Sequence, residues 1–319
     1  MNKSSEHKPL TNILISTCFG HGGMGMFPYI FYPPFWILLF TAWLTNTAII
    51  AKSATRYRHH GNYIWWNLFT YKFIHRIKDL QSILNSYGLT NPGVWVCAIM
   101  IKIAWTLGFN VVPSFFVNFS KGYETGYKET MEALSIFRRV LGKKFCILEL
   151  NPSCPNSGED ILSNQRNILR LCEAIKREFP YLTLIVKGSI VYPSSFYAQL
   201  EEAGVDIIHS MNTIPFDVAV KLGISPYEVS PLGEKTKGGY SGNIIMQPAF
   251  DYTMSTVVPT ATIPLIFGGG VSADNIAMLF NKTALVNKEG DARDTFFAIC
   301  TAATYNPIKT AKLLWELNQ

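Results

Sequence analysis

The chain has 319 residues, 48% hydrophobic and 16% charged, which fits a globular protein with a large core and excludes a disordered one. Net charge is +6 without a dense basic cluster, so nucleic acid is not an expected partner. The charge is uneven, however: from His7 to Lys78 there is no Asp or Glu, while Lys52, Arg56, Arg58, Lys72, Arg76 and Lys78 are basic, which suits an anionic ligand or surface.

Residues 1–10 read as an N-terminal tail without the apolar core of a signal peptide, and residues 11–319 as one domain. The first strand candidate, Ile13–Thr17, is followed by Gly20-His-Gly-Gly-Met-Gly25. That GxGxxG is a decoy for dinucleotide binding, because Pro28 and Pro33-Pro34 oppose the helix it needs and no acid follows before Asp79. The uncharged stretch Phe27–Ala51 is long enough to span a membrane, but its prolines and Thr45-Asn46-Thr47 divide it. It reads better as a core helix over Phe35–Leu44 leading into a strand at Thr47–Ala51. Further strands are expected at Val112–Val117, Phe145–Leu150, Leu182–Val186, Val205–His209, Ile263–Phe267 and Thr295–Ile299. Helical patterns lie between them at Val94–Leu107, Tyr127–Leu141, Asn164–Phe179, Ser194–Ala203, Asp251–Val258 and Ala273–Phe280, and Pro307–Leu317 ends the chain.

Strands apolar on both faces imply a parallel sheet covered on both sides. Eight βα units in one α/β chain predict a single (β/α)8 TIM barrel with insertions, with a doubly wound open sheet as the alternative. Polar or glycine clusters follow seven of the strands: Lys52-Ser53, Asn118, Asn151 with Cys154, Lys187, Asn212-Thr213, Gly268-Gly-Gly270 and Cys300-Thr301. A barrel gathers such strand ends at one mouth.

The densest chemistry is in Glu149–Gly158, ELNPSCPNSG. Pro152 and Pro155 forbid a helix and hold Asn151, Cys154 and Asn156 in place. Amides read carbonyl or carboxylate groups, and a thiol takes or gives a proton. The plainer reading is a proline-rich turn around a buried cysteine. Gly268-Gly-Gly270 before a helical pattern, with Gly238-Gly-Tyr-Ser-Gly242, suits phosphate binding. The six cysteines are scattered without CxxC and the histidines lack metal spacing, so neither a disulfide nor a metal is expected, and a reducing, cytoplasmic setting fits. Asp206 and His209 read as structural.

Taken together, Ala51-Lys-Ser-Ala-Thr55, Asn85-Ser-Tyr-Gly-Leu89, Leu150-Asn-Pro-Ser-Cys-Pro-Asn156, Ile185-Val-Lys187, Ser210-Met-Asn-Thr213, Gly238-Gly-Tyr-Ser-Gly242 and Ile266-Phe-Gly-Gly-Gly270 resemble, in order, the dihydroorotate dehydrogenase family of FMN-dependent barrels. The resemblance implies oxidation of dihydroorotate to orotate in pyrimidine synthesis. It places Asn85, Asn151, Asn156, Asn212 and Thr213 on the substrate and Lys52 beside both substrate and flavin. Ser53, Asn118 and Lys187 would contact the flavin. Ser241, Gly242, Gly269, Gly270, Cys300 and Thr301 would hold its phosphate. Cys154 would be the base at C5, a cysteine there being similar to the soluble class 1 enzymes. A related flavin enzyme acting on another cyclic amide, and a lapsed barrel serving as a scaffold, are the alternatives. Cys300-Thr301 replaces the family's Gly-Thr, and Asn281–Asp294 is an insertion. The aromatic stretches Phe27–Trp43 and Tyr63–Trp66 suit an acceptor tunnel, a homodimer interface or a peripheral membrane contact.

Overall fold

A computed structural model describes residues 10–24, 31–64, 67–152, 164–283 and 294–318. Nine parallel strands pair in one sheet: β1 (Ile13–Ser16), β2 (Ile49–Ile50), β5 (Val111–Val112), β6 (Ser114–Phe116), β7 (Ile147–Asn151), β8 (Thr183–Lys187), β9 (Ile207–His209), β12 (Leu265–Phe267) and β13 (Thr295–Ile299). Their order is β5-β2-β1-β13-β12-β9-β8-β7-β6. Its two ends, β5 and β6, are one strand interrupted by Pro113, which has no N–H to give the ladder. The first half pairs with β2 and the second with β7, so the sheet closes as an eight-stranded barrel, as the βα alternation predicts.

Alternation along the strands sorts the core into two shells. Leu14, Ile50, Val112, Ile147, Ile185, Ile207, Ile266 and Ala298 point inward and fill the barrel. Their neighbours Ile13, Ile15, Ile49, Leu148, Leu184, Val186, Leu265 and Phe297 point outward and pack in the larger core beneath the helices. Each large apolar side chain fully buried this way contributes roughly 1.5–3 kcal/mol.

The ring of helices comprises α1 (Pro33–Leu44), α2 (Val94–Thr106), α3 (Tyr123–Leu141), α4 (Gln165–Glu178), α5 (Ser194–Glu202), α6 (Phe216–Lys221), α7 (Met246–Tyr252), α8 (Ile276–Lys282), α9 (Thr301–Tyr305) and α10 (Pro307–Leu317). Prolines 33 and 34 open α1, where a missing N–H costs nothing. Helix α3 starts four residues earlier than its apolar pattern suggests, after Gly122 at φ 87° and with Glu124 in its first turn, where negative charge suits the helix dipole. Helix α7 likewise begins five residues before the expected Asp251, and its continuation through 253–257 is π-wound.

Helices α3 and α4 have ordinary amphipathic outer faces, exposing residues such as Glu124, Lys128, Arg166, Arg170 and Glu173. Helices α1 and α2 differ. Helix α1 buries Phe35, Leu38 and Ala42, as a core helix should, but its outer positions are Trp36, Ile37, Phe40, Trp43 and Leu44. Helix α2 exposes Trp95, Val96, Ile99 and Ile103. Among the described residues no helix is long and apolar enough to cross a membrane.

The sequence reading missed a second, antiparallel sheet, ordered β10 (Ile214–Pro215), β11 (Gly239–Gly242), β4 (Ser82–Asn85) and β3 (Ile74–Ile77). Its own small core includes Leu84, Met211, Ile214, Phe216 and Tyr240. Asn85, Ser241 and Gly242 belong to this sheet, and they line the same cavity as the ends of the barrel strands.

Candidate active site

The site follows from the period of the strands. Two residues beyond each inward apolar residue, the next inward position is Ser16, Lys52, Ser114, Glu149, Lys187, His209, Gly268 or Cys300. A polar layer therefore lies directly on the apolar filling, toward the strands' C-terminal ends. Glu149 is at its centre and is fully buried. Its Oε2 accepts from His209 Nδ1 at 2.7 Å and its Oε1 from Ser114 Oγ at 3.0 Å, with Lys187 Nζ 4.0 Å from Oε1. Burial pushes the Glu149 carboxyl upward, but Lys187, His209 and Ser114 outweigh it and hold the group below the usual carboxylate range. Burial and the Lys187 charge lower the pKa of His209 despite its bond to Glu149. The neutral ring thus donates from Nδ1 and turns Nε2 toward Gly268, where a Cβ would come within 2.8 Å of it.

From Glu149 a buried chain of hydrogen bonds runs outward to the cavity. Ser114 spends its one proton on Glu149, so at the 2.9 Å contact between Ser53 Oγ and Ser114 Oγ the donor must be Ser53. Ser53 then accepts from Asn151 Nδ2 at 2.9 Å, and Asn151 Oδ1 accepts from Asn212 Nδ2 at 3.0 Å. Asn212 Oδ1 in turn accepts from the Thr213 amide. Every proton in the chain points toward the carboxylate, which sets which end of each asparagine is amide and which is carbonyl.

The cavity's other end is built from close backbone approaches. Gly242, Gly269 and Gly270 all have positive φ, of 96°, 91° and 81°. A Cβ on Gly242 would fall 2.5 Å from the Gln81 carbonyl oxygen, and one on Gly270 2.7 Å from that of Gly242. Thr301 Oγ1 donates to Ser241 Oγ at 2.8 Å. Burial raises the Cys300 thiol, only partly offset by Thr17 and the two lysines, so it faces the cavity protonated. The cavity therefore carries hydroxyls, amides and two lysines, and no carboxylate among the described residues lines it, a donor set suited to a phosphate and an acceptor-rich ring.

Thirteen residues singled out in the sequence line this one cavity: Lys52, Ser53, Asn85, Asn151, Lys187, Asn212, Thr213, Ser241, Gly242, Gly269, Gly270, Cys300 and Thr301. Lys52 Nζ sits 3.5 Å over the ring of Tyr87, another lining residue. Asn118 does not line the cavity; its carboxamide oxygen is bonded to the Ser120 amide and hydroxyl. Cys154 and Asn156 lie outside the described residues. Ser16, Ser114, Glu149 and Tyr87 were missed as site residues, and His209 was read as structural. For all of these but Tyr87, the signal was the inward alternation that continues past each apolar run. Asp206 is structural as expected, bonded to Lys176 and to the Leu184 amide.

The sequence profile of the dihydroorotate dehydrogenase family matches residues 41–280. The chain belongs to the dihydroorotate dehydrogenase family. It is 25% identical over 236 residues to dihydroorotate dehydrogenase B (NAD(+)), catalytic subunit, of Lachnoclostridium phytofermentans, covering 73% of this chain and 71% of that protein. The crystal structure of the Eimeria tenella dihydroorotate dehydrogenase in complex with ferulenol shares the fold, with a TM-score of 0.54 and 16% identity over 85% of this chain and 73% of the other. Membership makes the chain a dihydroorotate dehydrogenase-like oxidoreductase.

Proposed function

We propose that the chain binds FMN in the strand-end cavity and oxidises dihydroorotate to orotate, with Cys154 as the base. The observation that carries this reading is the convergence of the family-motif residues on one cavity that also holds a glycine cradle and two lysines. Ser241, Gly242, Gly269, Gly270, Cys300 and Thr301 would hold the phosphate, and Ser53 and Lys187 the ring and ribityl chain, while Asn118, turned to Ser120, takes no part. The positive-φ glycines fit that role, since they let the segments carrying these amides approach closely, where a side chain would collide with Gln81, Ala249 or Met246. Bound FMN supplies the hydride acceptor.

The chain's own residues do the rest. Asn85, Asn151, Asn156, Asn212 and Thr213 bind the ring and carboxylate of the substrate. The buried chain ending at Glu149 keeps Asn151 and Asn212 turned one way, so recognition needs no reorganisation on binding. Lys52, stacked on Tyr87, places a positive charge at the cavity wall and favours charge developing on a substrate carbonyl. Cys154 stands three residues after Asn151, the last residue of β7, and removes the C5 proton.

Anaerobic addition of dihydroorotate to the FMN-loaded protein tests this reading. The expected result is bleaching of the flavin absorbance, with orotate as the product. A flavin that stays oxidised would move the proposal to another cyclic amide, and a chain that cannot be loaded with FMN would refute it.

A further inference from the structure

Lys52 and Tyr87 meet at the cavity wall, with Nζ 3.5 Å over the ring centroid. The lysine is fixed through its backbone, just beyond β2. Its amide donates to the Gly20 carbonyl at 2.7 Å, and its carbonyl lies 3.4 Å from His21 Nδ1. The tyrosine is fixed by a segment outside the cavity. Its carbonyl accepts from the amides of Asn62 at 3.1 Å and Tyr63 at 3.3 Å, and Asn62 Nδ2 donates to the Ser86 carbonyl at 3.0 Å. Gly88, at φ 70°, lets the two segments close, since a Cβ there would lie 2.8 Å from the Asn62 nitrogen. Tyr63 then tilts against the Tyr87 ring with centroids 4.7 Å apart, and Tyr71 meets Tyr63 edge-on at 5.2 Å. Tyr63 is buried and does not line the cavity. Three tyrosines therefore run in contact from the ammonium into the surrounding protein.

We propose that Tyr87 is a positioning residue for Lys52 and that Tyr63 acts through it, with Lys52 meeting the substrate as in the proposed function. A carboxylate could hold the ammonium in place, but it would also neutralise the charge and accept the lysine's protons. An aromatic face attracts the cation through its quadrupole and leaves the formal charge and the N–H donors available. Among the described residues no carboxylate lines the cavity. Glu149, in the layer below, is bonded to His209 and Ser114 and lies 4.0 Å from Lys187. Lys52 thus offers its whole charge to an anionic ligand from a fixed place. A mobile lysine gives up rotamer freedom when a ligand arrives, whereas one already seated on a ring has lost much of it beforehand.

Two measurements on the full chain test this. The first needs neither cofactor nor substrate. In protein labelled with carbon-13 at the lysine ε-carbon, the Lys52 ε-protons are expected upfield of most other lysines, because the ammonium lies over a ring. Loss of the signal in Lys52→Met assigns it, and Tyr87→Leu should return it to the common position. The second is orotate titration of the FMN-loaded protein. Tyr87→Leu should weaken orotate by roughly tenfold, and Tyr63→Leu by a smaller factor. Tyr87→Phe keeps the ring face and should retain most of the affinity. Mono-, tri- and pentafluorinated phenylalanine at position 87 keep the ring's size while depleting its negative face, so affinity should fall stepwise along that series. A ring that only fills space would give no such series.

A Lys52 signal at the common position in the unsubstituted protein overturns the contact. Affinity indifferent to fluorination, or lost as fully in Tyr87→Phe as in Tyr87→Leu, overturns the role of the ring face. A Tyr63→Leu protein with both the signal and the affinity unchanged removes Tyr63 from the arrangement. If orotate does not bind the unsubstituted protein, the substrate reading fails separately, and the upfield signal with its loss in Tyr87→Leu decides whether Tyr87 holds Lys52.

Discussion

Glu149 Oε2 and His209 Nδ1 lie 2.7 Å apart at the centre of the barrel, where neither side chain reaches solvent. The same carboxylate is the counter-charge of Lys187, itself 6% exposed. Glu149→Gln keeps the shape and removes the charge, leaving the ammonium in the interior without its carboxylate. The variant is expected to lose about 3–5 kcal/mol of stability in urea unfolding. Adding Lys187→Met should restore part of it, because removing both charges is cheaper than stranding one. Additive losses in the double variant would refute this coupling.

Ser53 and Ser114 transmit the polarity of Glu149 to the asparagines at the cavity. Ser114→Ala cuts the chain, and Ser53 loses the acceptor that fixes its proton. Orotate affinity should fall by roughly tenfold, the weight of about one net hydrogen bond. Ser53→Ala should cost about the same, and the double variant little more than either, since both break one chain. Orotate titration of the FMN-loaded proteins measures all three, and independent, additive losses would show that the two serines act separately.

The barrel was legible because its strands are short apolar runs bounded by turn residues, and the motif residues were legible because they stand just beyond those runs. The polar layer was harder to see. Glu149 sits between Leu148 and Leu150, inside a run that reads as uniformly buried, and only the two-residue period distinguishes its inward direction. The second sheet escaped because its strands are two to four residues long and paired by remote partners, as when Asn85 faces Gly239. Stability there comes from contacts between distant segments, which local pattern does not carry. The outer face of α1 was partly legible: its apolar residues signalled a helix, but an all-apolar helix reads as core until its neighbours are placed.

Gly242→Ala should abolish retention of FMN. The position has φ 96°, and the added methyl would lie 2.5 Å from the Gln81 carbonyl oxygen and 2.9 Å from Thr301 Cγ2. Both the conformation and the space oppose it. The β11–β4 pairing would shift and carry Ser241 and Thr301 out of register. Flavin content after gel filtration is the measurement, and a variant that stays fully yellow would remove Gly242 from the cradle.

Acid should weaken the fold through its histidines. Desolvation and the Lys52 charge lower His21 from 6.5 to about 3, and His209 is lowered as well. Each is neutral in the fold and takes a proton more readily when unfolded. Their contribution is complete above pH 6.5 and declines as pH falls toward 3. Glu149, depressed in the fold, adds a loss in the same direction at the acid end. Each histidine can steepen the decline by up to about 1.4 kcal/mol per pH unit. Urea midpoints across this range should therefore fall with pH, and His21→Asn should flatten the slope. A midpoint independent of pH would contradict the neutral assignments.

Cys154 carries the sharpest chemical prediction. A thiol with an ordinary pKa near 8.5 is mostly protonated at neutral pH and needs cationic or amide-donor company to act as a base. The described part of the cavity holds such groups, Lys52 over Tyr87 and Asn151 and Asn212 held in one orientation, and the proposed function puts Cys154 beside them. Cys154→Ala should therefore slow flavin reduction by dihydroorotate by about 10²–10⁴-fold while leaving FMN content and orotate affinity near those of the unsubstituted protein. Cys154→Ser should remain slow at neutral pH, because a hydroxyl is a poorer proton acceptor than a thiolate, and should recover partly as pH rises. Stopped-flow reduction across pH separates these effects. Unchanged reduction in Cys154→Ala would assign the proton to another group, and loss of FMN along with activity would mean that the residue supports the cofactor and not the chemistry.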